Sequence, residues 1–336
     1  MKKDMNQLLA ETAIRRTIKN IKDSPERAIR NLVDLGLHFS NGRFQTHLLE
    51  TAQKMLQNPQ SAYYTLVRDA VAAIDPDILI TFSVNLGYNG CTKGAELIRK
   101  IEAEQKFNIP WALNLAINKK ELESNPQFYP DVIRQGVSLG IHTYLLFITQ
   151  FSEALIPMMQ NRQDCAFILF LDSSQVNDFF LTKMESVKNA MIAVSMKEDA
   201  LQACQMLHDS HLLYAVYQHY MEKDKSYLLN GGWLASVLPL RPVFAFLQAD
   251  LTCSALTQKE VYDYIISVRD SQQVPLILMD MKQDILMIDQ VVSDDVCMVG
   301  FDSDGNLKTH EGLIRDEKYN IFCHPLKEIL MAAAPK

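Results

Sequence analysis

Hydrophobic and polar positions follow two different patterns along the chain, and the change falls near residue 108. Before it, apolar residues recur at the spacing of an amphipathic helix. Ser24-Pro25-Glu26 is typical of a helix start, because it joins a capping side chain, a proline in the first turn and an acid near the helix N-terminus. Two glycines within Leu86–Gly90 interrupt the last of these helices. The pattern predicts helices that start at Pro25, near 43, near 61, at Pro76 and again at Ala95.

Short apolar runs begin at residue 111 and alternate with helical segments. The runs contain few polar residues, which is typical of parallel strands that are covered on both faces. Their starts lie about 20–34 residues apart, close to the length of one βα unit. The runs are Trp111–Ile117, Ile141–Ile148, Ala166–Leu171, Met191–Ser195, Leu212–Tyr217, Pro242–Leu247, Leu276–Met279 and Val296–Phe301.

This alternation predicts an α/β fold, namely a partial (β/α)6-type TIM-like barrel preceded by an α-helical N-terminal region. We expect three parts: the helical region at 1–107, the barrel at 108–290, and a C-terminal hairpin and helix at 291–336. No GxGxxG follows the first run, and GxxxxGK[ST] does not occur in the sequence. A dinucleotide-binding fold and a P-loop NTPase are therefore disfavoured.

Composition and charge exclude some partners. The chain has 336 residues, is 48% hydrophobic and carries a net charge of −7. Residues 1–109 sum to +3 and residues 110–336 to −10, and this acidic majority argues against nucleic-acid binding. The first helix mixes apolar positions with Arg15, Arg16 and Lys19, while Asp4 and Glu11 dilute that charge. The pattern favours packing against the protein itself over peripheral contact with an anionic membrane surface.

The cysteines and the N-terminal sequence indicate the compartment. The first residues show neither the apolar segment nor the cleavage site of a signal peptide, and no apolar stretch reaches the ~18 residues of a membrane span. The closest pair of cysteines is 26 residues apart, so no CxxC motif exists. We expect a cytoplasmic protein with free thiols.

Five stretches, in this order along nearly the whole chain, resemble the bacterial radical S-adenosylmethionine (radical SAM) superfamily. That family has a helical region before a partial barrel. The resemblance implies three thiolates in a CxxxCxxC motif after the first barrel strand, which hold a [4Fe–4S] cluster, with S-adenosylmethionine on the fourth iron. The stretches are Phe82–Gly90 (FSVNLGYNG), Lys106–Leu115 (KFNIPWALNL), Val132–Phe147 (VIRQGVSLGIHTYLLF), Asp164–Met184 (DCAFILFLDSSQVNDFFLTKM) and Phe301–Leu307 (FDSDGNL).

The sequence departs from the family's pattern at each cofactor motif. Lys119-Lys120-Glu121 follows the first run without a cysteine, and Thr149-Gln150-Phe151-Ser152 stands where the family has GGEP. After the fourth strand the family has a polar S-x-E motif, and this sequence has Ser195-Met196-Lys197 there. Val291 and His310 stand where many members have cysteines of a second cluster. The resemblance therefore implies a pseudoenzyme with a degenerate auxiliary-cluster region. We expect no cofactor, neither a [4Fe–4S] cluster nor S-adenosylmethionine.

Three functions remain open. The first is a non-catalytic radical-SAM-like protein that binds a small molecule or peptide, or serves as partner or scaffold for an active enzyme, such as a radical SAM enzyme, or for its substrate. The second is an enzyme with non-radical, metal-assisted chemistry through His219, Asp250 and Asp280. The third is a structural partner that docks through the helical N-terminal region.

Polar residues at the predicted strand ends are the candidates for ligand binding. In barrels of this type, sites lie at the C-terminal mouth. The competing interpretation is that these residues solvate the strand ends, as loop residues usually do. We assign no catalytic and no metal-ligating residue among them. The candidates are Asn118, Gln150, Asp172, Ser195, Gln218, His219, Asp250 and Asp280, together with Lys282.

Overall fold

The computed structural model describes residues 5–21, 24–39, 43–293 and 295–336, and its N-terminal part is helical as the spacing predicts. Local capping sets two of the helix starts. Ser61 Oγ accepts the Tyr63 N–H at 3.3 Å, and Asp75 Oδ1 accepts the Asp77 N–H at 2.7 Å, beside a proline in the first turn. The helices are α1 Met5–Asn20, α2 Pro25–Phe39, α3 Arg43–Met55, α4 Ala62–Ala73, α5 Pro76–Ser83 and α6 Ala95–Gln105.

The glycine-containing interruption is a π-helix, Val84–Gly94, rather than a break between helices. Its buried Asn85 donates from Nδ2 to the main-chain oxygens of Gln163 and Cys165 at 2.9 and 2.8 Å. Asn89 Nδ2 lies 2.9 Å from Asn85 Oδ1 and 3.1 Å from the main-chain oxygen of Asp164. These bonds attach the π-helix to the chain that enters the third barrel strand.

The apolar runs form the strands of one curled sheet. All eight runs become strands because each is buried against helices on one side and against the barrel interior on the other. The strands are β1 Ala112–Ile117, β2 Thr143–Ile148, β3 Ala166–Leu171, β4 Ala190–Ser195, β5 Tyr214–Tyr220, β6 Phe244–Ala249, β7 Ile277–Asp280, β8 Val299–Phe301, β9 Leu307–Thr309 and β10 Leu313–Ile314.

Helices connect most of these strands, as βα units require. They are α7 Lys119–Ser124, α8 Phe128–Ser138, α9 Leu155–Gln160, α10 Asp178–Met184, α11 Ala200–Asp209, α12 Lys225–Leu229, α13 Gly232–Val237, α14 Ala255–Ser271 and α15 Gln283–Ser293. A last helix, α16 Leu326–Ala333, follows β10.

The strand order is β10-β9-β8-β1-β2-β3-β4-β5-β6-β7. Strands β1 to β7 are parallel in sequence order, with register pairs such as Leu115↔Leu146 and Leu146↔Leu169. Strand β8 pairs parallel to β1, and β9 and β10 add an antiparallel hairpin. The predicted partial TIM-like barrel is therefore confirmed as a curled half-barrel. The segment 291–336 supplies β8, so it extends the barrel sheet rather than standing apart from it.

Two apolar clusters divide the helical region. Residues of α5, the π-helix and α6, such as Ile78, Phe82 and Ile98, belong to the main core of the sheet. A separate small cluster joins α2 and α4 with their neighbours through Ile29 and Tyr64. Part of the helical region thus packs beneath the barrel. Within the described residues, no helix combines the length and apolarity that a membrane crossing requires.

Candidate binding cleft at the mouth of the barrel

A cleft of ≈ 190 Å³ opens among the carboxyl ends of the strands, on the inner face of the sheet. Elements from both halves of the sheet line it, because the curl brings β8 and β9 toward β5, β6 and the start of α15. The lining residues are Asn114, Ala116, Phe147, His219, Gln248, Met281, Lys282, Ile285, Met298, Gly300, Phe301, Asp302 and Lys308.

One wall of the cleft is a row of residues across three strands. Asn114 pairs with Gly300, and Gly300 pairs with Lys308, so the three positions share one face of the sheet. Gly300 has no side chain between its neighbours, and a Cβ there would lie 2.7 Å from Asn114 Cβ. The Lys308 and Asn114 side chains therefore border the same space. Asn114 Oδ1 is shielded from solvent and accepts no hydrogen bond from the described residues.

The opposite wall carries His219 and Gln248, which are register partners on β5 and β6. The ring of His219 packs against that of Tyr217, with centroids 5.9 Å apart, and remains exposed toward the mouth. Partial shielding from water and the charge of Lys308 lower the pKa of His219, while Asp250 opposes that shift. His219 is therefore neutral near pH 7 and offers one donor and one acceptor to a ligand.

The charge of the cleft is positive. In the described part of the chain, neither Lys282 nor Lys308 has an acidic partner at ion-pair distance. The acid among the lining residues is Asp302, whose Oδ1 accepts the N–H groups of Asp304 and Asn306 at 3.0 and 2.8 Å. Its carboxylate is thus engaged in the turn between β8 and β9.

Three of the predicted residues stabilise loops at the mouth. Asn118 caps α7, because its Oδ1 accepts the Glu121 N–H at 3.1 Å. Asp172 forms an ion pair with Lys197, and this contact lowers the pKa of Asp172. Ser195 Oγ accepts a main-chain N–H of the β3–α10 loop at 3.1 Å. These residues occupy strand ends, as the sequence predicts, but they do not line the cleft.

The other predicted residues are also dispersed. Asp280 is buried and caps α15, where its Oδ1 accepts the Lys282 and Gln283 N–H groups at 2.9 and 2.8 Å, and burial raises its pKa. Asp250 Oδ1 accepts from the hydroxyl of Thr252 at 2.6 Å. Gln150 and Gln218 do not line the cleft either. Of the predicted set, His219 and Lys282 line the cleft.

The proposed metal trio of His219, Asp250 and Asp280 is not assembled. Among the described residues, the group of three potential ligands with atoms within 4.8 Å of one another is His142, Asp164 and Cys165, at the N-terminal ends of β2 and β3. There, Arg162 Nη2 already lies 2.8 Å from Asp164 Oδ2. A cation would have to displace this guanidinium, so the group fits an internal ion pair better than a metal site.

The cysteines do not fit a CxxxCxxC cluster. Ligation of a [4Fe–4S] cluster needs thiolates that converge on one site. The end of β1, where the family has its cluster loop, continues into α7 without a cysteine. Burial raises the pKa of the Cys91 and Cys204 thiols to about 12. The six cysteines lie in six separate segments: Cys91, Cys165, Cys204, Cys253, Cys297 and Cys323.

Asn114, Gln248 and Lys308 are among the cleft residues that the sequence did not predict. Asn114 could have been predicted from the sequence, because it is a polar residue in the middle of an otherwise apolar strand. Lys308 did not, because its place depends on the pairing of β8 with β1 between distant parts of the chain. Gln248 is the register partner of His219, and only the β5–β6 pairing reveals it.

Comparisons with known proteins leave the family open. No protein-family model and no curated protein matches the chain. The crystal structure of Streptococcus suis SuiB aligns with a TM-score of 0.46 and 6% identity over 63% of each chain. SuiB bound to precursor peptide SuiA aligns with a TM-score of 0.47 and 6% identity, over 63% of this chain and 62% of SuiB. For 3-dehydroquinate dehydratase from Geobacillus kaustophilus HTA426 the values are 0.36 and 12% over 57% and 82%. The chain spans less than two thirds of SuiB, and likenesses at these TM-scores decide neither family nor activity.

Proposed function

We propose that this chain binds a small polar molecule in the cleft at the mouth of its partial barrel and performs no radical chemistry. The observation that supports this proposal best is the cleft itself, a concave site with polar groups that the described residues leave unpaired. Asn114 Oδ1 accepts no hydrogen bond there, and Lys282 and Lys308 have no acidic partner. Concave sites with a few convergent polar groups on an apolar lining are the usual form of ligand pockets. The dispersed cysteines support the second half of the proposal.

Anaerobic reconstitution with iron and sulfide tests the cluster-free half of this proposal. The purified chain is incubated beside an authentic radical SAM enzyme, and iron and acid-labile sulfide are measured after desalting. We expect the chain to retain neither in stoichiometric amount, because no site within the described ranges brings three thiolates together. Stoichiometric uptake of a [4Fe–4S] cluster would refute the proposal.

A second candidate function is binding of a peptide or partner protein, and an exposed apolar rim favours it. Leu251 is 90% exposed and Leu256 62% exposed in the loop and helix after β6, and Met221 after β5 is 47% exposed. Glu222 joins the two loops, because its Oε2 accepts the Ser254 N–H at 3.0 Å. Exposed apolar side chains grouped near a polar cleft are typical of interaction surfaces.

A displayed peptide library distinguishes this candidate from small-molecule binding alone. If the rim contacts a peptide, the wild-type chain enriches a family of sequences and the L251D/L256D variant does not. The matched control is L201D, since Leu201 is 63% exposed on α11. Absence of enrichment, or equal enrichment by L251D/L256D, would exclude the rim as a peptide site.

A further inference from the structure

Two unpaired lysines reach the same cleft from different parts of the chain. Lys282 lies between β7 and α15, and Lys308 lies on β9. Other lysines near the mouth are neutralised: Lys197 pairs with Asp172, and Lys225 pairs with Glu260. A pair of ammonium groups in one concave site repel each other unless an anion lies between them.

The one acid among the lining residues, Asp302, offsets part of this charge, so the lining keeps a net positive charge. The Asp302 carboxylate accepts two main-chain N–H groups and the side-chain amide of Asn306, the latter at 3.1 Å, so the turn fixes its orientation. His219 and Gln248 on the opposite wall are neutral donors that suit an oxyanion.

The cleft also has an apolar surface, which selects for an organic ligand. Phe147, Ile285 and Met298 line it beside the polar groups. Phe147 is held in place by stacking on Phe170, with centroids 4.7 Å apart. Apolar walls lower the local dielectric constant, and ion pairs with the lysines strengthen there relative to water.

Asn114 adds a second recognition element. Its Oδ1 is shielded from solvent and lacks a hydrogen-bond donor among the described residues. It shares the face of the sheet with Lys308 across Gly300. A buried acceptor without a donor costs free energy, which a ligand N–H or O–H would recover.

We infer that the cleft binds a small organic acid: its carboxylate or phosphate group pairs with Lys282 and Lys308, its apolar part packs on Phe147, and a neutral N–H or O–H donates to Asn114 Oδ1. This inference rests on the proposed function and names the chemical class of its ligand. The size of the cleft, ≈ 190 Å³, restricts the ligand to a small molecule or to the terminal group of a larger one.

Calorimetric titration of the full chain with matched acids and amides tests this inference. The probes are lactate, succinate, benzoate and inorganic phosphate, with lactamide, succinamide and benzamide as neutral counterparts. The variant is K282Q/K308Q. Its control is K120Q/K327Q, which removes the same charge at two exposed lysines outside the cleft. Circular dichroism checks the fold of each variant.

We expect at least one organic acid to bind the wild type, with its amide and inorganic phosphate weaker by about tenfold or more, as for a charge-assisted contact on an apolar wall. K282Q/K308Q loses about tenfold to a hundredfold in affinity for that acid, and K120Q/K327Q loses none.

Three results would overturn the inference: no acid binds, the amide binds as well as its acid, or the acid binds K282Q/K308Q as tightly as wild type. Binding of the amides alone would retain a ligand cleft and reject only the anionic class. Iron uptake by the same preparation would instead reject the cluster-free function, so the two failures are distinguishable.

Discussion

Buried asparagines near the N-terminal ends of the strands donate to the main chain, whereas the two lysines of the cleft at the C-terminal ends have no acidic partner among the described residues. Below the sheet, Asn189 Nδ2 lies 2.9–3.1 Å from the main-chain oxygens of Met159, Arg162 and Cys165. Above it, Lys282 and Lys308 have no acidic partner in the described chain. The lower end therefore contributes to stability, and the upper end holds charged groups that remain available to a ligand.

This difference has a physical cause. The π-helix covers the main chain just before β3, where oxygens of Gln163, Asp164 and Cys165 must find a protein partner or pay for desolvation. The mouth is open to water, which solvates lysine and histidine at little cost. Changes below should therefore alter folding, and changes above should alter binding. Substitutions at the two ends test this contrast.

Gly94→Ala in the π-helix should have the largest effect. A Cβ there would lie 2.3 Å from the Gly140 main-chain oxygen and 2.7 Å from that of Asn89, and neither atom can move as a flexible side chain would. We expect the free energy of unfolding to fall by about 3 kcal/mol. Gly87→Ala is the control, because its Cβ meets nothing within 4 Å, and it should leave stability equal or higher. Equal effects in urea unfolding would contradict close packing of the π-helix.

Asn189→Ala should cause the next largest loss of stability. The change removes the amide donor of three main-chain oxygens and leaves a small buried cavity. We expect a loss of about 2–3 kcal/mol in unfolding free energy. Asn161→Ala, at an exposed position one helix earlier, should change it by less than about 0.5 kcal/mol. A loss below about 1 kcal/mol for Asn189→Ala would mean that the lower loops do not depend on this amide.

Stability should also depend on pH, because a buried carboxyl group lies near the N-terminal ends of β1 and β8. Burial raises the pKa of Asp289 to about 8, against two main-chain N–H donors that lower it. The folded protein therefore keeps a proton that the unfolded chain releases near pH 4, so stability falls as pH rises from about 4 to about 8. We expect the free energy of unfolding to be lower near pH 8 than near pH 4. Asp289→Asn should flatten the profile, and a wild-type profile that rises over the same window would contradict this assignment.

The sequence predicts the architecture better than the site. Each apolar run becomes a strand with its start displaced by three residues or fewer, because strands buried on both faces leave a continuous apolar pattern. The π-helix is not predicted, since the sequence shows only glycines where the hydrogen bonding changes. The cleft needs side chains from β1, β5, β6 and β9, and their convergence follows from the curl and register of the sheet rather than from local pattern.

On this interpretation, the cleft lysines serve a ligand rather than the fold. The most direct measurement is urea unfolding of K282Q/K308Q without added ligand. Because neither lysine has an acidic partner in the described chain, we predict a free energy of unfolding within about 0.5 kcal/mol of wild type, or higher where their repulsion is relieved. A loss of more than about 1 kcal/mol would show that these lysines stabilise the barrel, and the claim would fail.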